Sequence, residues 1–229
     1  MQRLTLAINA GEHVALVGRS GAGKSTLVAG IARLLPVSAG KMMIDQWDSA
    51  AVPLLRWRRA IRAIPQDPLV LSGSVGHNLD PTGEASEASL WEALRLAGLD
   101  ELVLQMPHGL HTPLGSSGKD AHSRSGSKHE GTAEGMDGSG IGSSGLLKTT
   151  LSAGHRQLLA LARLLLHRGS ARLVLLDEPA AGMEESASAR LHGVLNERLS
   201  HATLVAITHR VRRRNRGHTH HPDRKICPP

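Results

Sequence analysis

Short apolar runs alternate with longer polar–apolar segments along the chain. Continuous apolar runs at 13–18, 172–177 and 202–208 have the length of strands, and the last two predict strands buried on both faces. Apolar positions at helical spacing predict helices at 24–35 and at about 185–199. Strands that alternate with helices are typical of an α/β domain with a mainly parallel central sheet.

Further segments extend this order. The runs 4–9 and 41–45 predict short strands, the first joined by a turn to the strand at 13–18. Helical periodicity recurs at 86–99, and a longer helix is predicted to begin within LSAGHRQ at 151–157. A chain of 229 residues with these elements can form one sizeable core, or one core with a satellite subdomain.

One segment breaks the alternation. Residues 115–145 contain nine Gly and eight Ser with almost no large apolar side chain. Such a composition cannot bury enough surface to offset the chain entropy, so it predicts a disordered insertion. We interpret it as a tolerated surface insertion, with a regulatory segment as the alternative.

Composition is typical of soluble globular proteins, with 40% hydrophobic residues and a mean hydropathy of −0.16. The sequence has no apolar stretch of membrane-spanning length and no signal-peptide pattern at Met1. A single cysteine, Cys227, excludes an intrachain disulfide and favours a reducing compartment.

The basic charge is concentrated at one end of the chain. Residues 210–229 carry +6 of the formal net charge of +7, so the basicity belongs to a tail and not to the domain. With no Phe or Tyr and only three Trp, the chain has few side chains on which nucleic-acid bases could stack. Nucleic acid is therefore not expected as a partner.

The sequence GRSGAGKS, Gly18–Ser25, matches the phosphate-loop pattern G-x-x-x-x-G-K-[ST] between a predicted strand and a predicted helix. Its glycines let backbone N–H groups close around phosphate oxygens. The ammonium of Lys24 can bridge the β- and γ-phosphates, and the hydroxyl of Ser25 can ligate Mg²⁺. The alternative is a glycine-rich turn with a chance Lys-Ser pair.

Two carboxylates end the apolar run RLVLLDEP at 172–179. Asp177 is placed to hold Mg²⁺, and Glu178 can orient and deprotonate an attacking water. Such a pair alone is often only a helix N-cap. Together with the phosphate loop, it predicts the second half of a nucleoside triphosphatase site.

A second candidate for phosphate binding lies at Ser152–Gly154, ahead of a predicted helix. A small polar residue and a glycine at a helix start form an anion cradle, because the free N–H groups and the positive end of the dipole point the same way. The chain thus has two helix starts suited to phosphate.

The order of these motifs resembles the ATP-binding cassette (ABC) family. The sequence LSAGHRQ at 151–157 resembles the signature LSGGQRQ, IPQDP at 64–68 resembles the Q-loop, and ITHR at 207–210 resembles the H-loop. The stretch IPQDPLVLSGSVGHNLDP at 64–81 is similar to the second nucleotide-binding domain of the multidrug-resistance-associated (C) subfamily of exporters. The resemblance covers about 4–210, apart from the insertion.

The resemblance implies ATP and Mg²⁺ as cofactors and a composite site. In this family two nucleotide-binding domains pack head to tail, and each ATP lies between the phosphate loop of one and the signature helix of the other. The two helix starts would then be two half-sites. The implied nucleotide contacts are Gly18, Arg19, Ser20, Gly21, Ala22, Gly23, Lys24, Ser25 and Thr26, with Ser152 and Gly154 directed at the γ-phosphate bound by the partner.

Catalytic roles are implied in the same way. Glu178 would be the general base, and Asp177 would support Mg²⁺ together with Ser25. Gln66 would contact Mg²⁺ or the attacking water and signal to a membrane domain, and His209 would contact the γ-phosphate. A lone histidine can instead be an ordinary core or surface side chain. The implied catalytic set is Lys24, Gln66, Glu178 and His209.

The sequence departs from the family at several positions. The signature has Ala153 and His155 where Gly and Gln are usual, and Glu184 stands where the D-loop has Asp. The family's A-loop aromatic would lie before the first residue, and the tail at 211–229 differs from the family's further strands. Its HTHH sequence and Cys227 lack the ligand spacing of a closed zinc site.

We therefore expect an α/β P-loop ABC cassette with a parallel core sheet, an antiparallel β part and a helical signature subdomain. Residues 1–66 and 171–210 would form the ATPase core, 67–170 the helical subdomain, and 211–229 a disordered basic tail. The expected activity is ATP hydrolysis that powers export by a C-subfamily transporter. Transmembrane domains outside this chain would hold the cassette on the cytoplasmic face of a membrane.

A different class of function stays open. The chain could be a truncated fragment that binds ATP or dimerises without hydrolysing it. Lack of the A-loop aromatic predicts weak binding with little preference among nucleoside triphosphates, because the base would lose a stacking partner.

Overall fold

The computed structural model describes residues 4–19, 21–115, 150–167, 169, 171–180, 183–208 and 224–226. Two residues with predicted roles, Ser20 and His209, lie outside these ranges. The same holds for the predicted insertion from residue 116 onward and for most of the tail, including its HTHH sequence and Cys227.

Short strands and helices follow one another along the described residues. In chain order they are β1 (His13–Leu16), α1 (Lys24–Ile31), β2 (Met43–Ile44), β3 (Trp47–Asp48), α2 (Leu54–Arg59), β4 (Ile61–Ile64), β5 (Gly73–Ser74), α3 (Val75–Leu79), α4 (Glu87–Ala97), α5 (Asp100–Leu104), a 3₁₀ turn (Gly109–His111), β6 (Pro113–Leu114), α6 (Ala153–Leu166), β7 (Leu173–Asp177), α7 (Glu185–Arg198), β8 (Thr203–Ile207) and β9 (Arg224–Ile226).

Five of these strands form a parallel sheet in the order β4-β7-β8-β1-β9. The pairs β2–β3 and β5–β6 are antiparallel. The prediction of an α/β fold with a parallel core sheet, an antiparallel β part and a helical region is confirmed. The strand order places β1 and β7 on either side of β8, so the residues that follow β1 and β7 lie two strands apart at the same edge of the sheet.

The strand β7 is apolar from Leu173 to Leu176 because both of its faces are covered. Leu173 and Leu175 pack on one face with Trp57 and with the partly buried apolar side chains of α1 and the β2–β3 pair. Val174 and Leu176 pack on the other face with the helices α4, α6 and α7. A strand buried on both faces reads as a continuous apolar run, which is why 172–177 was recognisable in the sequence.

The helix predicted at 24–35 ends earlier, at Ile31. Arg33 has a left-handed backbone with φ at +52°, and the N–H of Leu34 donates back to the carbonyl of Ala29 at 2.8 Å. This Schellman-type ending satisfies carbonyls of the last turn. The indole N–H of Trp57 donates to the carbonyl of Ile31 at 2.8 Å, so α2 closes the end of α1 before Pro36 is reached.

Two other predictions are wrong in part. Residues 4–9 do not form a strand, and the N–H of Asn9 donates instead to the side chain of Glu12 at 2.8 Å. In the tail predicted to be disordered, residues 224–226 form β9, because the outer edge of β1 offers unpaired backbone groups to a further strand.

Among the described residues, the longest helices have 14 residues, and no helix combines the length and the apolar character needed to cross a bilayer.

Candidate functional site

The carboxyl ends of four adjacent strands meet at one edge of the sheet. Leu16 lies beside Ile207, Ile207 beside Asp177, and Leu176 beside Ile64. The phosphate loop follows β1, the acidic pair ends β7, and the Q-loop follows β4. Open α/β sheets bind ligands outside the carboxyl ends of their strands, so the chain brings its predicted core residues to the usual place.

The phosphate loop has the backbone that close approach to phosphate requires. Gly21 and Gly23 have φ values of +82° and +83°, a region that disfavours residues with a Cβ. Gly23 caps α1, and the helix begins at Lys24. The N–H groups of the first helical turn have no intrahelical acceptors, so those of Lys24, Ser25 and Thr26 are available to an anion.

Lys24 is only 6% exposed, although its side chain carries a charge. Its ammonium donates to the carbonyl of Gly18 at 2.9 Å and to that of Arg19 at 3.0 Å. An ammonium has three protons, so one donor remains for a phosphate oxygen after these two bonds. The loop therefore holds its own lysine in place, while Ser25 and Thr26 are exposed at the mouth.

The acidic pair lies two strands from the phosphate loop, about 10 Å across the sheet. One carboxylate oxygen of Asp177, Oδ1, is buried and has no hydrogen-bond partner among the described residues. A buried carboxylate oxygen without a partner is costly, and a divalent cation or its water shell is a partner that would satisfy it. The environment of Asp177 therefore fits Mg²⁺.

Glu178 follows with φ at +49°, a left-handed conformation that is uncommon for a residue with a side chain. Its N–H donates to the carbonyl of Ile207 at 3.1 Å, which ties the turn after β7 to the end of β8. On the other side of β8, the N–H of Thr208 donates to the carbonyl of Leu16 at 3.2 Å. These bonds fasten the acidic pair, the end of β8 and the start of the phosphate loop into one rigid edge.

Ser152 and Gly154 lie at the start of α6, and not at the strand ends that carry the other site residues. The hydroxyl of Ser152 accepts from the N–H of His155 at 3.2 Å and caps the helix. A hydroxyl that accepts this bond can still donate its own proton to an anion. A Cβ on Gly154 would lie 3.9 Å from the side chain of Met183, which is ordinary van der Waals contact, so Gly154 is not completely enclosed by its neighbours.

Gln66 is exposed, and its backbone is held by a residue whose role the sequence motifs do not indicate. Gln157, the last residue of LSAGHRQ, is 1% exposed, and its Nε2 donates to the carbonyl of Gln66 at 2.6 Å. In the sequence, Gln157 is marked only as the last residue of LSAGHRQ, directly before the apolar part of α6. That signal does not name the partner.

A second polar contact joins α6 to the same region. The guanidinium of Arg163 donates to the carbonyl of Leu69 at 2.7 Å, and to the carbonyl and the side-chain oxygen of Asn78 at 2.6 and 2.8 Å. Asn78 is fully buried, and burial lowers the pKa of Arg163 below its usual value. This clamp fixes α3 and the chain after the Q-loop against the signature helix.

Among the described residues there is no cluster of three or more His, Cys, Asp or Glu side chains that could by itself hold a metal ion. A cation at Asp177 would therefore depend on further ligands such as the hydroxyl of Ser25, water and nucleotide phosphates, as is usual for Mg²⁺.

The chain is similar to ABC transporters at the level of sequence. The family model described as "ABC transporter" matches residues 1–181. The ATP-dependent bile acid permease of Saccharomyces cerevisiae is 34% identical over 213 residues, which are 93% of this chain and 12% of that protein. ATP-binding cassette sub-family C member 3 of Mus musculus is 32% identical over 211 residues, 92% of this chain and 12% of that protein.

A solved structure extends the likeness to three dimensions. A bacterial Atm1-family ABC exporter with ATP bound aligns with a TM-score of 0.69 and 27% identity over 88% of this chain and 30% of that chain. The chain spans only about an eighth of the length of the curated relatives, at 12% of each. It has the ABC cassette fold and belongs to the ABC transporter family, whose members are ATPases, with relatives in the C subfamily.

Proposed function

We propose that this chain is the ATP-hydrolysing cassette of a C-subfamily exporter and binds Mg-ATP at the edge of the sheet. The observation that carries the proposal is the position of two groups: a buried lysine inside a phosphate loop, and a buried carboxylate oxygen without a partner two strands away. Burying a charged side chain or an unpaired carboxylate oxygen costs free energy unless the group finds partners. Both groups become satisfied when a triphosphate and a divalent cation bind.

In this proposal the phosphate loop binds through its backbone. The N–H groups of the loop and of the first turn of α1 surround the β-phosphate, and the remaining proton of Lys24 donates to a β- or γ-phosphate oxygen. Bound Mg²⁺ would supply neutralisation of the phosphate charge, and Asp177 and Ser25 are the residues proposed to hold it.

Glu178 is the proposed general base, with Gln66 and His209 as the other residues near the γ-phosphate. The carboxylate follows the residue proposed to support Mg²⁺, so it can accept a proton from a water in line with the γ-phosphate. The turn that carries it is hydrogen bonded to the end of β8, which supports a fixed position for the base.

The helix start at Ser152 completes a second half-site. The exposed hydroxyl of Ser152 and the N–H groups of Ala153 and Gly154 at the start of α6 can donate several protons to the γ-phosphate held by another cassette. We propose a head-to-tail dimer with two composite sites. The division into an ATPase core (1–66 and 171–210) and a helical subdomain (67–170) belongs to the same proposal.

Transport is proposed from the relatives, because this chain spans only 12% of each of them. Transmembrane domains would hold the cassette on the cytoplasmic face of a membrane. A groove of about 340 Å³ beside the Q-loop is the proposed contact for these domains, since it lies next to Gln66 and has a mainly apolar lining. Its lining includes Pro65, Pro68, Leu69 and Pro81.

The substitution Glu178→Gln tests the catalytic proposal. The amide keeps the shape of the carboxylate but cannot accept the proton, so Mg-ATP binding is expected to persist while turnover falls roughly a hundredfold or more. The measurements are isothermal titration with Mg-ATP and a single-turnover ATPase assay.

The matched control is Glu197→Gln, at the far end of α7, where the side chain is 71% exposed. Both activities should survive in this variant. Undiminished turnover in the Glu178→Gln variant would remove Glu178 from the role of base. Binding without turnover in the unaltered chain at every concentration would favour the alternative of an ATP-binding fragment.

A further inference from the structure

The Q-loop and the signature helix are joined inside this chain by a row of polar contacts. Gln157 Nε2 donates to the carbonyl of Gln66 at 2.6 Å and, at a longer 3.4 Å, to that of Pro65. The guanidinium of Arg156 lies 3.2 Å from a carboxylate oxygen of Asp67. With the bond from Arg163 to Leu69, side chains of one helix contact the Q-loop and the residue that follows it.

Of the residues in this row, Gln157 is the one whose presence the stability of the fold explains least. It is 1% exposed, and its Oε1 is buried with no hydrogen-bond partner among the described residues. Both oxygens near Nε2 are carbonyls, so the amide nitrogen must face them and the amide oxygen is left without a donor. A buried polar atom without a partner costs about 1–3 kcal/mol, which an apolar side chain of similar volume would avoid.

The position of Gln157 on α6 gives the contact a consequence. Ser152 begins the same helix five residues earlier, about 7.5 Å along its axis. Gln157 itself is in a helix packed among buried leucines, so it cannot move without the helix. The backbone of Gln66 and the helix start at Ser152 are therefore linked through one short rigid element.

We propose that Gln157 is a positioning residue that fastens the Gln66 backbone to the signature helix. A displacement of Gln66 towards nucleotide in the chain's own half-site then moves Ser152 in the half-site offered to a partner. This inference rests on the proposed function for the roles of Gln66 and Ser152. The contact itself exists without nucleotide, so it can be tested separately.

The substitution Gln157→Met is the main test, because methionine has a similar shape and length but no donor. Amide hydrogen exchange in the nucleotide-free chain is expected to become roughly five- to tenfold faster at 66–71, the size of one lost hydrogen bond. Exchange in β7 and β8 should stay unchanged, and the midpoint of urea unfolding should not fall. The matched control is Gln105→Met, at the exposed end of α5, where exchange at 66–71 should stay unchanged.

Nucleotide supplies the second readout. In the unaltered chain Mg-ATP should slow exchange at both 66–71 and 150–157, whereas in the Gln157→Met variant the change at 150–157 should be lost. In ATPase assays of the dimer, kcat should fall roughly tenfold with KM changed less than about twofold, since the nucleotide contacts of the phosphate loop are intact.

The outcomes separate this inference from the proposed function. Equal exchange at 66–71 in the Gln157→Met variant and the unaltered chain would overturn the positioning role. Faster exchange everywhere with a lower unfolding midpoint would overturn it too, because that is the result of a purely structural residue. If the unaltered chain binds no Mg-ATP, the proposed function fails, and the exchange at 66–71 without nucleotide still decides whether Gln157 holds the loop.

Discussion

Glu178 illustrates how a single residue can carry a conformational cost for a role in chemistry. Its φ of +49° costs about 1–2 kcal/mol for a residue with a Cβ. The bond from its N–H to the carbonyl of Ile207 shows that the sheet enforces this turn. Strained backbone of this kind concentrates at active sites, which supports the role proposed for the carboxylate.

Asp80 shows the opposite case, in which a single carboxylate stabilises the fold. It is 4% exposed, and it accepts from the hydroxyl of Thr82 at 2.5 Å, from the N–H of Thr82 at 3.0 Å and from the N–H of Ala85 at 2.7 Å. The bond from the Thr82 hydroxyl is the main reason that the pKa of Asp80 is lowered from 3.8 to about 2.

This lowered pKa predicts a dependence of stability on pH. The folded chain holds the ionised carboxylate more strongly than the unfolded chain, so the stabilisation is complete above about pH 4 and is lost as the pH falls towards 2. Asp80→Asn should therefore reduce the free energy of unfolding by about 2 kcal/mol near neutral pH. The difference should shrink towards pH 2. Urea unfolding at pH 7, 4 and 3 measures it.

A suitable control for Asp80→Asn is Glu84→Gln, four residues on and exposed, which should change stability little at any pH. A difference between Asp80→Asn and the unaltered chain that stays constant from pH 7 to pH 3 would contradict the predicted titration.

At the scale of elements, α6 carries most of the polar contacts that hold the Q-loop and α3 in place. Its first residues form the proposed half-site, Gln157 holds the Q-loop, and Arg163 holds α3. Most of its remaining side chains are leucines and alanines that pack in the larger core. A single helix thus connects the proposed half-site for a partner with the proposed membrane-facing groove, of which Arg163 is part of the lining.

The clamp between α6 and α3 predicts a marked effect of a conservative change. Lysine has one compact ammonium and cannot reproduce three bonds that the fork of Arg163 makes to Leu69 and Asn78. Arg163→Lys is expected to cost about 2 kcal/mol or more, because buried oxygens lose their donors. Chemical denaturation measures the loss.

The matched control is Arg95→Lys on the exposed face of α4, the same substitution at an exposed site, and it should hardly change the free energy of unfolding. If the two lysine variants were equally stable, the clamp between α6 and α3 would contribute nothing to the fold.

At the scale of the whole molecule, the proposed sites are complete only in a pair of chains. The phosphate loop and the acidic pair lie at the strand ends, whereas Ser152 and Gly154 lie on α6. The proposed head-to-tail pair would join the phosphate loop of each chain to the signature helix of the other. Two disabling substitutions in different half-sites should therefore be able to complement each other.

Mixing two inactive variants tests this arrangement. Lys24→Ala disables the phosphate loop and Gly154→Asp puts a negative charge in front of the signature helix, so each homodimer lacks both composite sites. A mixed dimer contains one intact site. An equal mixture should therefore recover roughly a quarter of the unaltered turnover, since about half of the dimers are mixed and each has one of two sites.

The rate should also rise with the square of the protein concentration when dimers are scarce. The control is a mixture of Lys24→Ala with a chain that carries both substitutions, which should stay inactive. Recovery in this control, or no recovery in the test mixture, would contradict the composite sites.

The sequence allowed the element order and the cassette motifs to be predicted, because apolar runs and glycine patterns are local. It did not reveal that β1 pairs with β8, since that pairing depends on residues far apart in the chain. The early end of α1 was missed because Arg33 adopts a left-handed backbone without being a glycine. Gln157 was missed because a buried polar contact is defined only once the helix is packed.

The order of the strands in the five-stranded sheet also limits when β1 can pair during synthesis. Val14 of β1 lies beside Val205 of β8, so β1 has neither of its neighbouring strands, β8 and β9, until about 190 further residues have been synthesised. At about 5–20 residues per second, this delay is roughly 10–40 s. During that time the apolar residues of β1 have no partner, and contacts of such long range form slowly. Nascent chains of this protein are therefore expected to depend on chaperones until β8 emerges.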